Sequence, residues 1–179
     1  MKTLAPNRES GFTLLELLLV IGVGALLLIG GIATYRLVSD GNKTTETTRL
    51  LLTIRQEAQT LAQQQGGTYA GITFDSTAST PNAPLVVSGT LRDQQRNPFN
   101  GMIKIDPADN TATADNLTVE LTNVSRSGCS KLVTAINNAN EIVSVSVNDT
   151  PVPGTIPYTA ANAATACTAA NSTIKWQFP

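Results

Sequence analysis

The chain opens with a short polar stretch that changes abruptly into an apolar run. Residues 12–35 form 24 consecutive positions with one charged side chain, that of Glu16. A helix of about 20 apolar residues spans the hydrocarbon core of a bilayer, so this run predicts a membrane-spanning helix. Lys2 and Arg8 precede it, and such basic residues favour a cytoplasmic N-terminus with export of the rest. An ordinary secretory signal peptide is disfavoured, because its apolar region has only about 7–15 residues.

A second helical pattern follows the apolar run. Apolar residues recur with a period near 3.6 and therefore share one helical face, at Leu50, Leu51, Ile54, Ala58, Leu61 and Ala62. This spacing predicts an amphipathic helix over 36–65 that covers a core with one side, and Gly66 and Gly67 are expected to end it. The polar stretch 39–48 contains few good helix formers, which allows a bend or a frayed turn there.

Beyond residue 65 the pattern changes to short strands and one short helix. Alternating apolar and polar side chains predict strands, and a return to the helical period predicts a helix. The expected elements are a loop at 68–100 with a short strand at Leu85–Val87, strands at 101–106 and 117–122, a helix within 125–140 with Ser127 as its N-cap, a strand at 141–147, a loop at 149–172, and a terminal strand that buries Ile174, Trp176 and Phe178. A helix lying across one face of a mainly antiparallel sheet packs these elements economically, so the predicted fold class is α+β.

The amino-acid composition of the chain excludes several classes of function. The 179 residues suffice for one domain with its own core, and the formal charge of −1 gives no basic excess for nucleic acid. The chain contains no histidine, which excludes Ser-His and Cys-His nucleophiles and histidine-based metal sites. We find no phosphate-binding glycine loop and no catalytic cluster, so neither an enzyme nor a cofactor is predicted.

The two cysteines, Cys129 and Cys167, lie far apart and form no CxxC motif. A structural disulfide is favoured over two free thiols, and it implies an oxidising compartment. Closing a loop of 39 residues contributes about 4 kcal/mol in the chain-entropy model. The bridge would tie the stretch 149–172, which is poor in helix and strand formers, to the helix that carries Cys129.

Two charged patterns carry less specific signals. Three acidic residues offer the oxygen ligands that suit calcium, but their spacing fits no known loop and favours a solvated turn; they are Asp106, Asp109 and Asp115. Four basic residues allow a positively charged patch on the surface, namely Arg92, Arg96, Lys104 and Arg126. Acidic residues interspersed among them reduce the positive charge of such a patch. No metal site is predicted.

The start of the apolar run carries a more specific motif. Gly11-Phe12-Thr13-Leu14-Leu15-Glu16, with a short basic leader before it and an apolar helix after it, resembles the processing and methylation signature of type IV prepilins. The resemblance implies that a prepilin peptidase cuts after Gly11 and N-methylates Phe12. It also implies a leader at 1–11, a membrane or filament-core half of the helix at 12–35, an amphipathic half at 36–65 and a globular head at 66–179.

The resemblance further implies a role for Glu16 in subunit assembly. After cleavage, Phe12 carries a free ammonium group one helical turn before Glu16, and the two charges neutralise each other in the membrane. In a filament, Glu16 of a docked subunit pairs with the Phe12 ammonium of an incoming one, because an unpaired buried charge is unfavourable. The alternative is a carboxylate tolerated near the membrane surface. Gly30 and Gly31 mark either close helix packing or a place where the helix unwinds in the filament.

The layout of the head narrows the resemblance to one subclass. The turn "NPFNG" and the segment "GCSKLVTAI" look most like type IVb pilins, whose long C-terminal region is closed by a disulfide. The short leader and Phe12 as the first mature residue depart from that subclass. The alternatives are a type II secretion pseudopilin, a minor pilin at the filament tip, and an exported enzyme on a membrane anchor.

The resemblance implies a structural role without cofactors. The chain would be the major subunit of a pilus, held in the inner membrane and then polymerised into an extracellular filament for adhesion, aggregation or conjugative contact. Its implied partners are the prepilin peptidase, the inner-membrane assembly platform with its ATPase, and further copies of itself.

Overall fold

The computed structural model describes residues 13–108 and 114–179. Gly11 and Phe12 of the processing motif, and Asp109 of the acidic turn, lie outside the described residues. Cleavage and methylation at the motif therefore stay predictions.

The chain divides into two compact units, with the boundary after Ser39. The second unit, Asp40–Pro179, is called the head unit here. One helix, α1 (Leu14–Gln64), contributes residues to both units. The polar stretch 39–48 is helical throughout, so the frayed turn considered from the sequence is absent.

The hydroxyl groups of the threonines in this stretch of α1 donate hydrogen bonds to the backbone of the same helix. The hydroxyls of Thr44, Thr45, Thr47 and Thr48 each donate to the carbonyl four residues earlier, at 2.7, 3.2, 2.7 and 2.9 Å. Thr44 and Thr47 are buried, and a buried hydroxyl without a partner costs about 1–3 kcal/mol. The internal bonds explain how a sequence poor in helix formers stays helical beside an apolar core.

Helix α1 ends at the predicted glycines. Gly66 and Gly67 adopt φ values of 91° and 88°, in the left-handed region that favours glycine. The amide of Gly67 donates to the carbonyl of Ala62 at 2.7 Å, which satisfies a carbonyl that the helix end would otherwise leave free. The predicted helix end is confirmed to within one residue.

The head unit is completed by a single sheet and three shorter helices among the described residues. In chain order the elements are β1 (Phe74–Asp75), α2 (Pro84–Val87), β2 (Ile103–Pro107), β3 (Leu117–Ser125), α3 (Arg126–Ala135), β4 (Ser144–Val147), β5 (Thr150–Pro151), α4 (Ala160–Ala166) and β6 (Asn171–Phe178). The strand order is β1-β2-β3-β6-β4-β5, and every ladder is antiparallel.

One hydrophobic cluster joins α1 to the inner face of the sheet. Leu51, Ile54 and Ala58 of α1 have no exposed surface, as the amphipathic period predicted. In β6 every second side chain is buried, and Trp176 is fully enclosed. The α+β fold class, with a long helix packed on an antiparallel sheet, is confirmed.

The two predicted loops contain short elements that the sequence analysis missed. Leu85–Val87 belongs to helix α2 and not to a strand, because Pro84 begins the helix at a position where its missing N–H needs no partner. The stretch 149–172 contains β5 and α4. Thr159 caps α4 through reciprocal bonds with Asn162, a Thr-x-x-Asn spacing that was readable in the sequence.

The boundaries of strand β4 also differ from the prediction. The strand was expected at 141–147 but starts at Ser144. The amides of Glu141 and Ile142 donate to the carbonyl of Asn138 at 2.8 and 3.1 Å. These bonds form a turn, which delays the start of the strand.

The turn at 96–101 holds its loop against β3. The side chain of Asn97 accepts hydrogen bonds from the amides of Phe99 and Gly101 at 2.9 and 3.0 Å, and donates to the carbonyl of Thr122 at 2.9 Å. A Cβ atom on Gly101 would lie 1.8 Å from that carbonyl oxygen. The backbone of β3 therefore leaves no room for a side chain at position 101.

We expect Gly101→Ala to destabilise the protein by about 3 kcal/mol, because the added methyl group meets the backbone of β3. Gly41→Ala is the matched control, since its Cβ meets nothing closer than the Lys131 ammonium at 4.0 Å. Alanine there should favour the helix by about 1 kcal/mol. Chemical denaturation of the detergent-solubilised protein measures both changes, and similar values for the two variants would contradict the packing of the turn.

Candidate assembly site

The first turn of α1 carries the candidate assembly residue Glu16. Thr13 lies just before the helix, and its side-chain oxygen accepts from the amide of Glu16 at 3.3 Å. The carbonyl of Thr13 accepts from the same amide at 3.1 Å. Thr13 is thus the N-cap, a role that the sequence analysis missed although the Thr-x-x-Glu spacing is that of a capping box.

The cap sets the position of the carboxylate on the helix. Glu16 lies in the first turn of α1, where the positive end of the helix dipole favours an acidic side chain. Phe12, its predicted partner, lies outside the described residues. Their pairing therefore stays a prediction.

The segment that follows Glu16 is apolar and exposed. The window Leu14–Gly31 has a mean hydropathy of 2.5, and none of it is buried. By length and composition this helix can cross a membrane, although a signal sequence would pass the same test. Its exposure argues against the core helix of a globular domain, because such a helix buries its apolar residues within its own chain.

Four glycines interrupt this apolar segment, namely Gly22, Gly24, Gly30 and Gly31. A Cβ atom at any of them would meet no other described atom within 4 Å. No contact among the described residues therefore requires glycine here. Close approach of a second helix remains a reason for their small size, and unwinding at Gly30 and Gly31 in a filament stays a prediction.

Within the head unit, Asp40 joins α1 to the start of α3. Its carboxylate accepts hydrogen bonds from the hydroxyls of Ser125, at 3.0 Å, and Ser127. The N-cap of α3 is Ser125, whose oxygen accepts from the amide of Gly128 at 3.2 Å. The predicted N-cap, Ser127, is wrong, because α3 begins at Arg126 and Ser125 is therefore the residue directly before the helix.

A disulfide between Cys129 and Cys167 joins α3 to the end of α4. The two Cα atoms are 5.9 Å apart, and both cysteines are buried. The side chain of Arg126 donates to the carbonyl of Cys167 at 3.2 Å. The expected disulfide-closed C-terminal region is confirmed.

The other charged candidates do not converge on a site. No group of three acidic or cysteine side chains that could hold a metal ion occurs among the described residues. Asp106 instead pairs with Lys104, with its carboxylate 2.9 Å from the ammonium. Lys104 lies on β2, whereas Arg126 begins α3 and Arg96 lines a groove beside α1. The basic residues thus lie on separate elements with separate neighbours.

The class of protein follows from the fold. A long N-terminal helix with an exposed apolar first half, an antiparallel sheet packed on its second half and a disulfide in the C-terminal region together define a type IV pilin fold. Two solved structures share it. TcpA, a type IV pilin from Vibrio cholerae El Tor biotype, has a TM-score of 0.54 and 17% identity, covering 77% of this chain and 99% of its own. A type IVb pilin from Salmonella typhi has a TM-score of 0.51 and 16% identity, covering 76% and 97%.

Sequence comparison identifies the family. The family model described as PilS N terminal matches residues 41–178, and the model described as prokaryotic N-terminal methylation motif matches residues 6–32. The chain belongs to the PilS family, and its resemblance to type IVb pilins is confirmed. The major structural subunits of bundle-forming pilus from Escherichia coli O111:H- and O127:H6 are each 26% identical to it over 186 residues, covering 97% of this chain and 95% of theirs.

We expect Asp40→Asn to destabilise the protein by about 1–2 kcal/mol, because two hydroxyl donors lose a charged acceptor at the start of α3. Glu46→Gln, an exposed acidic position on the same helix, should stay within about 0.5 kcal/mol of the wild type. Denaturant midpoints of the solubilised protein measure both. An equally stable Asp40→Asn variant would show that the serine bonds contribute nothing.

Proposed function

We propose that this pilin is the major subunit of a type IV pilus. It is inserted in the inner membrane through residues 12–35 with its N-terminus in the cytoplasm. A prepilin peptidase then cuts after Gly11 and N-methylates Phe12. The assembly platform and its ATPase add the mature chain to an extracellular filament that serves adhesion, aggregation or conjugative contact.

The match of the methylation motif to residues 6–32, which include the exposed apolar segment Leu14–Gly31, carries this proposal. A helix whose large apolar side chains are exposed needs either lipid or copies of itself to remove those side chains from water. The membrane removes these side chains from water before assembly, and the filament core does so afterwards. The curated relatives, named as major structural subunits, support the choice of a major over a minor pilin.

N-terminal sequencing of filaments sheared from cells tests the proposal. We expect N-methyl-phenylalanine followed by Thr-Leu-Leu-Glu, which is the sequence after Gly11. The abundance of this chain in the filaments separates a major subunit from a minor one at the tip. Filaments that lack the chain, or that contain it with residues 1–11 still attached, would contradict the proposal.

The Glu16 carboxylate should be required for assembly and not for membrane insertion. In the proposed mechanism it pairs with the methylated ammonium of Phe12, within one subunit in the membrane or between neighbours in the filament. Removing the acid leaves that ammonium unpaired in an apolar environment, which disfavours docking.

We expect Glu16→Ala and Glu16→Val to lower the yield of sheared filaments at least about tenfold, since one unpaired buried charge costs several kcal/mol. The amount of processed protein in the membrane should not change. Leu17→Ala is the control, because Leu17 is the exposed apolar neighbour on the same turn. Wild-type filament yield from either Glu16 variant would refute the assembly role.

A further inference from the structure

The outer face of the sheet carries a row of alternating charges. The strand register places Asp75 beside Lys104, Lys104 beside Glu120, and Glu120 beside Lys175. Across β1, β2, β3 and β6 the charges are therefore negative, positive, negative and positive. Neighbouring strands lie about 4.8 Å apart, so the row is about 14 Å long.

The row is partly exposed and charged at neutral pH. The side chains of Lys104, Glu120 and Lys175 are 51, 23 and 33% exposed. The hydrogen bond to Asp106 raises the pKa of Lys104, and the hydrogen bond to Asp149 raises the pKa of Lys175. Both lysines therefore stay cationic.

The two carboxylates of the row are less tightly paired than the lysines. Lys175 lies 2.5 Å from Asp149 but 3.4 Å from Glu120. Lys104 has its close contact with Asp106, which is not part of the row. The hydroxyl of Thr77 donates to Asp75 and lowers its pKa, so this carboxylate is ionised. The row thus presents charge to a partner as well as to its own neighbours.

The order of the charges is self-complementary. A twofold axis between Lys104 and Glu120 would bring Asp75 opposite Lys175 of a second copy, and Lys104 opposite Glu120 of that copy. All four positions then face a charge of opposite sign. An interface of this kind uses the same patch on both copies, so no different partner is needed to supply the complementary charges.

We propose that the row formed by Asp75, Lys104, Glu120 and Lys175 is a contact surface between heads in neighbouring filaments. The occupant is a second copy of this chain, and the inference rests on the proposed filament. Each exposed ion pair is weak by itself. Two filaments lying side by side repeat the contact along their length, and repetition turns weak contacts into stable association.

Complementary neutral variants test the pairing. Variant A carries Lys104→Gln and Lys175→Gln, and variant B carries Asp75→Asn and Glu120→Gln. Filaments of A alone or B alone have no opposite charges left in the row contact. Mixed A and B filaments regain half of the pairs, because acids of A face lysines of B.

Low-speed sedimentation of sheared filaments, checked by negative-stain microscopy, measures lateral association. We expect A alone and B alone to lower the sedimented fraction about fivefold, and mixing to restore a substantial part of it. The matched control is Arg92→Gln with Lys131→Gln, which removes two exposed cations elsewhere and should sediment as the wild type. Wild-type filaments should disperse in about 1 M salt, which screens exposed pairs.

The outcomes separate this inference from the proposed function. Absence of wild-type filaments would contradict the proposed function. Filaments of A and B that sediment like the wild type, or a mixture that recovers nothing, would overturn the row contact alone. Salt-independent sedimentation of wild-type filaments would overturn it without any variant.

Discussion

Burial of one face of α1 against the sheet is the interaction on which the rest of the head depends. An antiparallel sheet with one apolar face must be covered on that side, and Leu51, Ile54 and Ala58 supply the cover. The threonines before them tolerate burial because their hydroxyls bond to the helix backbone. Half of α1 therefore has its apolar partner within the chain.

The first half of α1 has the opposite property. Its apolar residues are exposed over Leu14–Gly31, and the acidic Glu16 lies in the capped first turn. One helix thus combines a segment that is buried against its own sheet with an apolar segment that is exposed. The two family models divide the chain in a similar way, since the methylation motif matches residues 6–32 and the PilS model matches residues 41–178.

Polar and covalent links hold the parts of the head that the core alone supports weakly. Asp40 connects α1 with the start of α3, and the disulfide connects α3 with the end of α4. The stretch between β5 and β6 is short of strong helix and strand formers, so its links to α3 restrict the conformations open to it. The outer face of the sheet carries charges and little apolar surface, which keeps this side of the head in water.

Elements with long or strongly periodic patterns were predictable from the sequence alone. The apolar run, the amphipathic half of α1, its glycine end, the terminal strand with Trp176 and the α+β class were all readable, because each depends on local spacing or on a local backbone preference. The capping residues Thr13 and Thr159 were also readable from their spacing but were overlooked.

Contacts between segments that are distant in sequence follow from the tertiary packing of the chain. Ser125 and not Ser127 caps α3, at a place where the hydroxyls of both serines donate to Asp40 of α1. Leu85–Val87 forms part of a helix because Pro84 begins it, a local preference that the prediction of a strand did not weigh. Asp40 lies 85 residues before Ser125, and the charged row depends on the register of strands that are distant in sequence. Such contacts follow from how the whole chain packs, and no local window of the sequence contains that information.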